Sequence, residues 1–145
     1  MSAFELRAVE FKNDGVRDSL TSSMAPALFH EALKREIAAA KRDQRELAVL
    51  TIALRPDNFP SVALFQEGLI KVAFALTQEL RGGDFFARIS DRGFWVLLRT
   101  SENNGQLVLD RLDLAHHESL ETQIVARKDD EYPQWIRRID QLYFK

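Results

Sequence analysis

One run of nine residues constrains the chain more than any other: Glu46 to Leu54, ELAVLTIAL, almost continuously apolar and rich in branched side chains. Such a stretch has no polar face to offer to water, and Arg55-Pro56-Asp57-Asn58 stops it at once, so it reads as a buried central strand. Helical spacing lies on both sides. Met24 to Asp43 sets Leu28, Ala32, Leu33, Ile37 and Ala40 on one face, with Glu31, Lys34, Arg35 and Lys41 elsewhere. Ser61 to Leu80 repeats the pattern through Leu64, Phe65, Leu69, Val72, Ala73, Leu76 and Leu80, with Gly68 its weak point.

The remaining elements follow in the same alternation. FFARIS and FWVLLR flank Asp91-Arg92-Gly93, two β-prone runs around a short turn, and predict a hairpin. SENNG breaks the chain before a shorter helix, Gln106 to Ala115; LETQIVARK is strand-like; and Pro133 opens a last helix through Trp135, Ile136, Ile139 and Leu142. Helix, strand, helix, hairpin, helix, strand, helix predicts an α/β (α+β) domain. In it, parallel crossovers and one antiparallel pair build a single mixed sheet with helices packed on it, ferredoxin-like or palm-type. Residues 1–17 form an N-terminal extension in which Phe4, Leu6 and Ala8 alternate, as for an added edge strand or a segment lying across the surface; residues 18–145 form the domain proper.

Composition narrows the function classes. A chain of 145 residues, 46% apolar and 29% charged, makes one ordinary globular domain. Net charge is −2 with basic and acidic residues interspersed, which argues against a nucleic-acid or membrane partner. Cysteine is absent, no signal-like start is seen and no apolar run approaches the ~20 residues of a bilayer span, so a cytoplasmic location is expected. His30, His116 and His117 lack metal-ligand spacing; neither metal nor cofactor is expected.

The stretch RGGDFFARISDRGF, Arg81 to Phe94, holds two competing turns, Gly82-Gly83 before Asp84 and Ser90-Asp91-Arg92-Gly93. The residues around it resemble the GGDEF domains of diguanylate cyclases from Asp18 to Lys145. Asp18-Ser19-Leu20-Thr21 is similar to the family's opening D-x-L-T; Phe29 and Leu33 fall in its first helix; LAVLTIAL is similar to its first core strand. Leu69 to Leu76 follows its L-x-x-V-A-x-x-L, and Ile139 to Lys145 resembles its closing A-D-x-A-L-Y-x-A-K. The family pattern R-x-x-D-x-x-x-R-x-G-G-D-E-F fits Arg81, Asp84, Arg88 and Phe94, laying the signature turn on Ser90, Asp91, Arg92, Gly93 and Phe94. The conspicuous glycine pair is then upstream, where a backbone need such as a helix stop is expected of it.

The resemblance implies cyclase chemistry, in which carboxylate-held metal ions neutralise the triphosphate. Here the strand carboxylate position falls on Ala53, and the hairpin's acidic positions are Arg92 and Gly93. Asp91 alone cannot hold the ions, and a guanidinium beside them opposes binding. The guanine-gripping elements are replaced by RPDNFPSVALFQE, with Phe65-Gln66 in place of Gly-Asp and Asp57-Asn58 read as turn chemistry. No cyclase activity is expected; an active enzyme with displaced carboxylates is the remote alternative. Arg81 and Asp84 coincide with the family's inhibitory R-x-x-D site for cyclic di-GMP, where arginine can address a guanine edge or phosphate and aspartate can accept from guanine N1 and N2. Arg111 lies near where the family supplies a further arginine to the same ligand. The same spacing recurs at Arg88/Asp91, Arg127/Asp130 and Arg137/Asp140, so register alone singles out the first pair; a salt bridge or cap at a helix–strand junction is the plainer explanation of it. The resulting expectation is an inactive GGDEF-like sensor of cyclic di-GMP that signals to a protein in trans; two-fold pairing is common where a flat dimeric ligand bridges identical sites, so a homodimer is one option. The alternative is a nucleotide-independent interaction scaffold, for which Trp95 and Trp135 could serve as anchors although core packing suits both.

Overall fold

The computed structural model describes residues 2–112 and 118–144. The order is α1 (Ala3–Leu6), α2 (Pro26–Asp43), β1 (Ala48–Leu54), a 3-10 turn (Pro56–Asn58), α3 (Val62–Glu79), β2 (Phe85–Ser90), β3 (Gly93–Leu98), α4 (Glu102–Arg111), β4 (Leu120–Ala126) and α5 (Tyr132–Tyr143). Strand β1 is buried at all seven positions, as its unbroken apolar run requires. The strand order is β2-β3-β1-β4.

Each hydrogen-bonded strand pair is antiparallel, which corrects the expectation of parallel neighbours in a mixed sheet. The crossovers are still there, but each one straddles a strand. Strands β1 and β2, joined by α3, run the same way with β3 between them; β3 and β4, joined by α4, run the same way around β1. Two interleaved split units of this kind make the ferredoxin-like arrangement.

Helices cover both faces. Phe29, Leu33 and Ile37 of α2 and Trp135 and Ile139 of α5 pack on Val49, Trp95, Leu97 and Val125. Phe65, Leu69 and Leu76 of α3 and Val108 of α4 pack on Leu50, Ile52, Phe94 and Val96. Both tryptophans are thus core residues, and Leu64, expected inside, is 46% exposed. In α2 the buried stripe is Phe29, Leu33, Ile37 and Ala40, with Leu28 and Ala32 at its edge.

Two boundaries move for local reasons. The Ser101 hydroxyl caps the Asn104 amide at 3.3 Å, so SENNG opens α4 instead of breaking the chain before it; Ala115, the expected end of that helix, lies outside the described residues. Ser61 caps α3 in the same way, accepting from the Leu64 amide at 3.2 Å. No edge strand comes from the N-terminal segment: Ala3–Leu6 is a turn of helix, and the chain then crosses the surface with Val9 buried. Among the described residues no helix is long and apolar enough to cross a membrane.

Candidate functional site

The β2–β3 hairpin is held from behind by a buried cation. Arg88 is fully buried, and its Nη1 donates to both carboxylate oxygens of Asp18, at 3.2 and 3.3 Å, and to the Glu10 carbonyl. Its Nε donates to the Ser90 carbonyl at 3.2 Å and Nη2 to the Asp91 carbonyl at 2.9 Å, while the Phe11 ring lies 4.9 Å away. Asp18 in turn accepts from the Leu20 and Thr21 amides and the Thr21 hydroxyl. Burial pulls the guanidinium below its ordinary pKa and the Asp18 charge pushes back. An ion pair this deep is tolerated only when its other donors and acceptors are satisfied, as they are here.

At the front of the hairpin, Ala53 and Gly93 are cross-strand partners. A Cβ on Gly93 would collide with the Tyr143 hydroxyl and the Ile52 carbonyl oxygen. Tyr143 donates to or accepts from Ser90 Oγ at 2.7 Å, and burial pushes its phenol up to about 12. Of the three positions where the family resemblance implies carboxylates, Ala53 and Gly93 therefore carry a methyl group and a hydrogen, and Arg92 carries a guanidinium. Asp91 and Arg92 form the half-buried turn, with the Arg92 carbonyl accepting from the Leu54 amide at 2.8 Å. Among the described residues no group of three or more acidic or histidine side chains could hold a metal ion.

The loop expected to lack a purine grip is occupied with structural tasks. Pro56–Asn58 is a 3-10 turn, and Asn58 Nδ2 donates to the Glu118 carbonyl at 3.1 Å. Phe65 is fully buried edge-to-face against Phe59, and Gln66 Oε1 accepts from the Glu10 amide at 2.8 Å. His30 Nδ1 meets the Tyr132 hydroxyl at 2.9 Å between α2 and α5; His116 and His117 lie outside the described residues.

At the other end of β2, α3 stops at Glu79 with Leu80 extended. Arg81 to Asp84 form a turn closed by the Asp84 amide on the Arg81 carbonyl at 3.0 Å, with Gly83 at φ +94. The backbone need met by the glycine pair is thus this turn, with a positive φ at its third position, and not the helix stop. Asp84 Oδ1 accepts from the Arg99 amide at 3.0 Å, while Arg99 pairs with Glu36. Arg81 is exposed, and among the described residues no partner for its guanidinium is seen. Arg111 Nε lies 3.3 Å from Glu79 Oε2, two residues before Arg81. Arg81 and Asp84 thus share one turn, and Arg111 adjoins it through Glu79.

A feature missed by sequence reasoning lies beside this turn: a groove of about 600 Å³ between α3 and α4, lined by Ile70, Phe74, Ala75, Gln78, Glu79 and Arg111. The available signal was Phe74, a large apolar residue off the helix's buried stripe.

No family model matches the chain, and no curated protein matches it. Solved structures do. The GGDEF domain of PA1120 (TpbB or YfiN) from Pseudomonas aeruginosa superposes with a TM-score of 0.75 at 23% identity, covering 88% of this chain and 86% of that one. The GGDEF domain of DgcB from Caulobacter crescentus, in complex with c-di-GMP, gives 0.76 at 14% identity, covering 90% and 88%. Diguanylate cyclase SiaD, in complex with its activator SiaC from Pseudomonas aeruginosa, gives 0.73 at 20% identity, covering 96% of this chain and 59% of that one. The fold of this chain is that of a GGDEF domain.

Proposed function

We propose that this chain is a catalytically inactive GGDEF-like signalling domain that binds cyclic di-GMP at Arg81 and Asp84 and relays its presence to a partner protein. The observation that carries the reading is a contrast along β2. One end presents an exposed guanidinium without a partner among the described residues; the other ends at Ala53 and Gly93, whose side chains offer no donor to a metal ion. The donor set there does not fit magnesium. The DgcB complex supports the ligand class. Calorimetric titration of cyclic di-GMP tests it: micromolar or tighter binding is expected, abolished by Arg81→Ala with the fold intact.

A second reading is favoured by the Asp84 carboxylate, which already holds the Arg99 amide, and by Arg111, already paired with Glu79. On that reading these residues are structure and the domain is a protein-binding scaffold; diguanylate cyclase SiaD, which contains this fold, is seen in complex with a protein, its activator SiaC. No heat at high ligand concentration would select it.

A further inference from the structure

The outer face of α3 carries a large aromatic side chain turned away from the core. Its buried stripe runs through Phe65, Leu69, Val72, Ala73 and Leu76, whereas Phe74 is 66% exposed and Ile70, one turn before it, 45%. Isolated exposed apolar residues are common. These two, however, line one wall of the groove that Arg111 closes from α4, and its volume of about 600 Å³ falls within the range of small-molecule sites. The groove reaches the end of α3 at Glu79, which pairs with Arg111, and Arg81 follows Glu79 by two residues in the turn after the helix.

A cyclic dinucleotide carries two purines on one phosphate ring. If the edge of one meets Arg81 and Asp84, the other requires a surface of its own, and purine faces stack on aromatic rings and on guanidinium planes. We propose that the α3–α4 groove is the stacking platform for that second purine, with the Phe74 ring beneath the base and Arg111 beside it. This inference rests on the cyclic di-GMP reading above. Glu79 keeps Arg111 in place through their 3.3 Å ion pair and neutralises it until ligand arrives.

The test is titration of cyclic di-GMP into the wild-type chain and into Phe74→Ala, Phe74→Leu and Phe74→Trp, with thermal melts as the folding control. Phe74 is mostly exposed, so all three variants are expected to melt like the wild type. Loss of the aromatic face is expected to weaken binding about tenfold in both Phe74→Ala and Phe74→Leu. Phe74→Trp should keep the affinity, and its emission should be quenched as ligand binds. Wild-type binding with Phe74→Ala and Phe74→Leu unchanged, or an unmoved tryptophan signal, would overturn the groove inference and leave the Arg81 reading standing. Absence of wild-type binding would remove both.

Discussion

Arg88 shows how one side chain ties together parts of the chain far apart in sequence. It joins the N-terminal segment, through Glu10 and Asp18, to the turn, through Ser90 and Asp91. The motif spacing marked both Asp18 and Arg88, but nothing in the sequence said that they pair, because that contact exists only once the hairpin lies on the N-terminal loop. Removing one member of a buried ion pair leaves the other uncompensated, so Arg88→Ala is expected to cost about 3–5 kcal/mol, read as a lower urea midpoint. Arg88→Lys, which keeps the charge but loses the fork of donors, should fall between the two. A midpoint unchanged in Arg88→Ala would mean that the pair contributes nothing.

Helices α2 and α5 meet at His30 and Tyr132, beside Lys34 and Asp140. Burial, reinforced by Lys34 and opposed by Asp140, holds His30 below its ordinary value of 6.5. The unfolded chain therefore takes up this proton first as pH falls. The stability linked to His30 is complete above 6.5 and is lost as pH drops through and below that value. Urea midpoints of the wild type should fall between neutral pH and about pH 5, and fall less in His30→Gln. Asp140, which burial raises, has an effect of the opposite sign that both proteins share, so the difference between their slopes reports His30. Identical pH slopes in the two proteins would count against this account. The helices themselves were legible from apolar spacing, but this contact between them was not, since it depends on which helices share a face of the sheet.

Across the whole molecule, the two candidate sites occupy opposite ends of β2. Six residues of strand separate them by roughly 20 Å, beyond the range at which substitutions usually couple. With magnesium and GTP no sustained pyrophosphate release is expected, and Arg81→Ala should leave that result unchanged; measured turnover would overturn the inactive reading. Residue types at fixed spacing were enough to determine the order of elements, the central strand, the hairpin and the absence of acidic residues at Ala53 and Gly93, because hydrophobic periodicity and side-chain chemistry are local properties. Only the tertiary structure decided that every strand pair is antiparallel, that Asp18 neutralises Arg88, that Tyr143 closes over Gly93 and that Phe74 faces a groove with Arg111. Each of these depends on residues distant in sequence being brought together by the packing of helices on both faces of one sheet, and no local pattern encodes which distant partner will be met.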